Sequence, residues 1–480
     1  MSYRILPLRF ERWGPSEYLI TNDVGEFIFL TKEVFERFVG HGLDTGSEAF
    51  LDLKSRHLAT DTETAPMVEM LATKLRTKKS TLAHFTSLHM VVPTLRCNSN
   101  CIYCQVSRKE QLDCGVDMSL ETAKRIVRTI FESPSPSIKI EFQGGEPLMH
   151  FERVRSIIEE AEWRNLFKKK RLEFVLCSNL TLLTPKMACF LKKHGCFIST
   201  SLDGPEALHD ANRPLQNHMH SHKLVTEKLR MCRDTLGANS VSALMTTTSH
   251  NLEHLKEVVD EYIRLGFSSI FLRSLNPYGF AKRDKSKIAY SVESFVEHYL
   301  AALDYIIDLN LKGIFFVESF AELLLTRILT PFATGFVDLQ SPAGVGIGGV
   351  VYDYNGNVYV SDEARMMASM NDDHFKMGNV HVNTYQEMFN GPFLRNVIAR
   401  SCTECLPGCA DCVFQPFCGA DPVRNFSEQG DEIGHRPTND MCKRTKAIIR
   451  HLLGLIKLND PKIDDVLWSW ITHCPPQSKT

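Results

Sequence analysis

The chain lacks a charge surplus: 55 lysines and arginines face 57 aspartates and glutamates, a net of −2 over 480 residues. That balance leaves no electrostatic footprint for a nucleic-acid backbone, which needs clustered basic side chains. It also lacks any run of 18 apolar residues, so no segment reads as a membrane-spanning helix. The amino terminus, from Met1 to Arg9, lacks the layout of a signal peptide, and a soluble cytoplasmic protein is expected. Cysteine, by contrast, is plentiful at 15 residues. In a cytoplasmic chain that number argues for metal ligation or buried thiols rather than disulfides. The length exceeds one ordinary core, and two or three domains are expected.

Three thiols, Cys97, Cys101 and Cys104, fall within eight residues, directly after an apolar run from Met90 to Leu95 that reads as a buried strand. Three thiolates on one loop can hold three irons of a four-iron cluster and leave the fourth open to a small molecule. A zinc site normally uses two CxxC pairs or adds histidines at set spacings, and no second pair lies near. A thioredoxin-like pair needs two cysteines, and chance grouping is the remaining reading. The CxxxCxxC spacing, with Tyr103 just before its last cysteine, resembles the radical S-adenosylmethionine (SAM) enzymes. The resemblance implies that the open iron is chelated by the amino and carboxylate groups of the cofactor's methionine moiety, with Tyr103 beside the adenine.

Residues 1–84 read as a small α+β module. Short strands are predicted at Leu6–Phe10, Tyr18–Thr21 and Glu26–Leu30, then three helical patterns, the first capped by Thr31. This order resembles the winged-helix peptide-recognition module of many peptide-modifying enzymes, although a structural extension is an equal alternative. Residues 85–330 alternate strand and helix patterns, the signature of a parallel sheet wrapped by helices. Six such units, the last strand at Ile270–Leu275, suggest a partial (β/α)6 TIM-like barrel, whose functional groups gather where strands end.

At those ends, Gln143-Gly144-Gly145-Glu146-Pro147 follows the second strand, and its glycines let a backbone edge approach a ligand. The element resembles the family's GGEP motif, which implies that Gly144, Gly145, Glu146 and Pro147 bind the methionine amine. By the same resemblance Ser178 and Asn179 contact the ribose, while Ser201 and Arg213 meet the cofactor carboxylate, for which the arginine fork is suited. Three other patterns are discounted. His218, His220 and His222 have no acidic or cysteine neighbour at motif spacing. The GxGxxG match from Gly344 to Gly349 precedes a strand instead of following one. The basic run Lys168–Arg171 reads as a solvated helix end.

Residues 331–480 carry a hairpin with an Asn355-Gly356 turn and then Cys402, Cys405, Cys409, Cys412, Cys418 and Cys442. The region resembles the SPASM extension, which usually holds two auxiliary [4Fe-4S] clusters. Matched residue by residue, Cys409, Cys412, Cys418 and Cys442 fit the second auxiliary cluster. Ser341, Ser361 and Pro422 stand where ligands of the first would fall, so one auxiliary [4Fe-4S] cluster is expected. A zinc knuckle is the alternative, and Cys402 and Cys405 lie outside the pattern. Asp362 resembles the aspartate proposed as proton acceptor in sulfatase-maturing enzymes, and a hairpin-end aspartate without catalytic duty is as good a reading.

The resemblance as a whole implies a peptide maturase that reductively cleaves S-adenosyl-L-methionine to a 5′-deoxyadenosyl radical and removes hydrogen from a peptide side chain. Stretches near the amino terminus, Ser361–Arg365 and Cys418–Pro422 resemble the maturases of His-Xaa-Ser peptide systems. The implied partners are a ribosomally made peptide, a second radical SAM enzyme and a low-potential electron donor. A formylglycine-generating maturase and a zinc-stabilised, non-catalytic peptide-binding scaffold are the alternatives.

Overall fold

The computed structural model describes residues 3–216 and 220–475. At the amino end Arg9–Gly14, Glu17–Thr21 and Phe27–Thr31 form a three-stranded antiparallel sheet. Gly25, at a φ of +83°, turns the chain into the third strand, while the Asn22 side chain accepts from the backbone of Val24 and Glu26. Thr31 then caps the helix Lys32–Val39 by accepting from the Val34 amide. Ile20, Ile28, Leu30, Phe35, Phe38, Phe50 and Leu53 close a core of their own.

The central sheet has eight strands. Five run parallel in chain order from Leu88–Val91 through Ser137–Phe142, Arg171–Cys177 and Cys196–Ser201 to Val241–Leu244. Helices between them bury one face each. On Leu120–Ile130, for example, Ala123, Ile126, Val127 and Ile130 go under because they recur at helical spacing. The expected sixth barrel strand is a correction. Only Ser269–Ile270 is extended, and it pairs with Val317–Glu318 in a separate two-stranded sheet. Beyond it Leu272 donates its amide to the Glu318 carboxylate, and Arg273–Tyr278 runs on as loop.

The opposite sheet edge is occupied by the carboxyl-terminal region. Gly349–Tyr352 runs parallel to Leu88–Val91, followed by the antiparallel strands Asn357–Tyr359 and Lys376–Asn379. The glycine-rich turn before it is a structural latch: Gly346 donates to the Gly349 and Val360 carbonyls and accepts from the Thr86 hydroxyl. Lys170 departs from the solvated reading of its basic run, because its ammonium donates to the Ser133 carbonyl at 2.8 Å. The amino-terminal sheet rests on the late cysteine loop, with the Thr21 hydroxyl 2.8 Å from the Val413 carbonyl and the Arg9 Nε 2.5 Å from that of Ala410. No helix among the described residues is long and apolar enough to cross a membrane.

Candidate active site

The loop of Cys97, Cys101 and Cys104 leaves the first barrel strand and is pinned by the segment 212–216. Asn100 donates to the Pro214 carbonyl, Ile102 to that of Asn212, and the Gln216 side chain to that of Cys97. The Ser99 amide points at the Cys97 sulfur, 3.4 Å away. Burial pushes the Cys97 thiol far up, with Cys101 raising it further, and pushes Cys101 up to about 11 against the nearby Arg213 guanidinium. Thiols this buried ionise only against a compensating positive charge, which iron supplies. Among the described residues, the one set of three or more His, Cys, Asp and Glu donors within 4.8 Å of one another is Glu206, Asp210 and His220.

Gly144 and Gly145 follow the next strand and lie directly on the backbone entering the cysteine loop. A Cβ on Gly144 would sit 2.3 Å from the Thr94 carbonyl oxygen, and one on Gly145 2.2 Å from that of Arg96. The Gly145 amide bonds the Thr94 carbonyl and the Glu146 amide that of Arg96. Glu146 is buried at 1% exposure and accepts from the Ser178 hydroxyl, the Asn179 amide and the Leu148 amide at 2.7–3.0 Å. Burial pushes its carboxyl up to about 7 against these bonds, which favour the anion. Pro147 opens the short buried turn Pro147–His150.

The polar atoms of Ser178 and Asn179 are spent on this scaffold. The Asn179 side chain donates to Asn98 and to the Ser99 hydroxyl, both at 2.9 Å, tying the third strand's end to the cysteine loop. Ser201 ends the strand Cys196–Ser201. Two residues on, Asp203 is fully buried and joins two of the expected site residues. Tyr103 donates its hydroxyl to it at 2.6 Å, and Arg213 its Nε at 2.9 Å, while the guanidinium covers the Tyr103 ring 5.1 Å from the centroid. Burial works against the Arg213 charge, yet Asp203 holds it above its ordinary value. Sequence reasoning passed over Asp203 and Asn98. The position of Asp203 just past a strand end was the available signal.

The second cysteine set converges as well. Cys409, Cys412, Cys418 and Cys442 line one cavity, with Arg436 and Lys446 beside them. Burial raises all four thiols, Cys418 to about 12. Cys405 is exposed and Cys402 points at the Ile398 carbonyl. The Ser341 hydroxyl is engaged with Glu404 and the Thr403 amide. Ser361 caps the helix Asp362–Ala368, and Pro422 opens the helix Pro422–Gln429. Asp362 is half-buried, with the carboxyls of Glu363 and Asp338 close enough to feel its charge. Of the histidines set aside, His222 is buried on Glu261 at 2.8 Å, while His220 faces Glu206 and Asp210 at the surface. His218 lies outside the described residues.

Comparison with known proteins agrees with this arrangement. The Radical SAM superfamily model matches residues 91–262. An uncharacterised protein of Methanocaldococcus jannaschii is 30% identical over 212 residues, 43% of this chain and 68% of that protein. The cysteine-type anaerobic sulfatase-maturating enzyme of Clostridium novyi is 22% identical over 71% of this chain and 88% of its own. In fold, the solved structure of anSMEcpe with bound AdoMet superposes with a TM-score of 0.65 at 19% identity, covering 80% of this chain and 99% of that one. Streptococcus suis SuiB bound to its precursor peptide SuiA gives 0.51 at 12% identity over 92% and 100%. The three-thiol loop, the glycine edge laid against it and the parallel strands that carry both therefore have one origin, and the chain belongs to the radical SAM superfamily of enzymes.

Proposed function

We propose that this radical SAM enzyme is a peptide maturase, installing a post-translational modification on a ribosomally made peptide. Cys97, Cys101 and Cys104 would hold the SAM-binding [4Fe-4S] cluster, and Cys409, Cys412, Cys418 and Cys442 an auxiliary one. When bound, the first cluster and S-adenosylmethionine supply reductive cleavage of the sulfonium and a carbon radical able to remove a hydrogen atom. The chain's part is positioning. Gly144 and Gly145 present backbone carbonyls to the cofactor amine. Glu146 fixes the Ser178-Asn179 turn against the cysteine loop. Asp203 sets the Tyr103 ring and directs the guanidinium of Arg213 toward Cys101, where a cofactor carboxylate would be received. Asp362, with Glu363 beside it, would accept the proton released when product forms.

The observation that carries this reading is that segments from three strand ends meet on the cysteine loop beside a cavity walled by the carboxyl-terminal region. In peptide-bound structures of anSMEcpe and SuiB, relatives in fold are seen with a peptide. The finer likeness, to the His-Xaa-Ser system maturase HxsB with a second radical SAM partner and a low-potential donor, rests on the sequence stretches alone. The curated sulfatase-maturating relatives favour a second reading, a formylglycine-generating protein maturase. The serines and proline at the first auxiliary ligand positions speak against it. Anaerobically purified enzyme given S-adenosylmethionine and a reductant should release 5′-deoxyadenosine, and Cys101→Ala should abolish it; release by that variant would overturn the assignment. Mass spectrometry of a co-expressed neighbouring peptide separates the two substrate readings.

A further inference from the structure

The basic run that closes the helix Phe151–Lys168 is more than a solvated end. The helix buries Phe151, Val154, Ile157, Ile158 and Ala161. Trp163, Leu166 and Phe167 recur at the i, i+3, i+4 spacing on the face turned the other way, 55, 69 and 72% exposed. The Trp163 and Phe167 rings meet edge to face at 5.7 Å, so they form one projecting surface. Exposed apolar residues scattered singly are ordinary, but three adjoining at one helix end call for a partner.

Lysines flank this surface. Lys168 and Lys169 follow it directly, and the Glu162 carboxylate, bonded to the His194 ring at 2.8 Å, draws in the end of the helix Pro185–Lys193 with Lys192 and Lys193. All four lysines are exposed, and among the described residues no carboxylate lies within ion-pair reach of any of them. The arginines nearby are spent, Arg164 on Glu160 at 2.7 Å and Arg171 on Glu173 at 2.8 Å. Lys170 turns inward to the Ser133 carbonyl. On these two helix ends Glu159 is the exposed acid left to face the four ammonium groups. The positive surplus is thus local, on a chain whose net charge is −2.

We propose that this helix end docks on an anionic bilayer surface, with Trp163, Leu166 and Phe167 entering the boundary between headgroups and acyl chains and the four lysines held at the lipid phosphates. Two features favour lipid over an acidic protein. The free charges are all lysines, flexible point charges that follow a diffuse field of phosphates, whereas the arginine forks that would match a fixed carboxylate are already occupied. Aromatic and aliphatic bodies rimmed by long ammonium stems also suit the layered interface, apolar part inward and charge outward. The helix begins beside the Pro147–His150 turn, so its docking end lies about 20 Å along the axis from the cofactor site. Docking there leaves the mouth of the barrel facing away from the bilayer, whichever substrate the enzyme takes.

The test uses full-length, anaerobically reconstituted enzyme and two kinds of vesicle, phosphatidylcholine alone and phosphatidylcholine mixed with phosphatidylglycerol. Co-sedimentation should show at least about tenfold tighter binding to the mixed vesicles, weakened by added salt. Lys168→Glu with Lys169→Glu should abolish that preference, and Leu166→Ser with Phe167→Ser should weaken binding to both. Equal binding by the unaltered enzyme to the two vesicles, or none, overturns the proposal without recourse to either variant. A preference that survives both pairs of changes overturns it too, because the lipid then meets another surface. Sedimentation velocity without lipid covers the remaining occupant: a dimer that Leu166→Ser with Phe167→Ser turns into a monomer assigns the patch to a second copy of this chain and removes the bilayer.

Discussion

At the scale of single residues, the site is governed by how closely two backbones approach. Gly145 lies against the Leu95 and Arg96 carbonyls, where an added Cβ would meet oxygens at 2.4 and 2.2 Å. Both are backbone atoms with their own partners, so neither side can yield cheaply. Gly145→Ala should separate the strand end from the cysteine loop, costing about 1–3 kcal/mol of stability and weakening S-adenosylmethionine binding at least about tenfold. Denaturant melts and equilibrium dialysis read the two effects, and an unchanged variant would refute the close-approach argument. The same scale explains what the sequence could not reveal about Ser178 and Asn179. Their residue types suit a ribose contact, but Glu146 and Asn98, distant in sequence, take up their polar atoms.

Among the elements, the helix Ser319–Leu329 shows how a buried cap makes stability depend on pH. Its cap Glu318 accepts from the Ala321 amide at 2.6 Å, the Leu272 amide at 3.0 Å and the Tyr299 hydroxyl at 2.5 Å. Burial nevertheless pushes the carboxyl from 4.5 up to about 7. Between those values the folded chain keeps a proton that the unfolded chain has released. Stability therefore falls as pH rises through that window, by at most about 1.4 kcal/mol per pH unit for this group. Glu318→Gln should flatten the thermal-melt profile over that range, and a profile parallel to the parent's would contradict the assignment. This cap also accounts for the missing sixth strand. The apolar run at Ile270–Leu275 satisfies a strand pattern, but the Glu318 carboxylate takes the Leu272 amide out of any ladder.

Across the whole molecule, the two thiol sets lie in different layers. The first sits on a barrel loop, the second between the carboxyl-terminal helices and the amino-terminal sheet, which reaches it through Thr21 and Arg9. Full-length protein should carry about eight irons and as many labile sulfides, the content of two four-iron clusters. The double variant Cys412→Ala, Cys418→Ala should retain about four. Zinc in place of iron, or a count unmoved by the double change, would dismiss the auxiliary site.

Much of the chemistry was legible in the residues themselves, because the protein ligands of a four-iron cluster are mostly thiolates and a loop can present them only at short, fixed spacings. The Cys97–Cys104 loop and the strand–helix alternation around it are of this kind, as is the glycine pair after the second strand. Only the folded chain decided that Asp203 joins Tyr103 to Arg213, and that Gly349–Tyr352 completes the barrel sheet at its edge. Only there, too, do Asp338, Glu363 and Asp421 share a chamber with Tyr278. The reason is separation along the chain. Local spacing encodes what one loop can bind, whereas partners tens to hundreds of residues apart become neighbours only when helices and strands bury their apolar faces together.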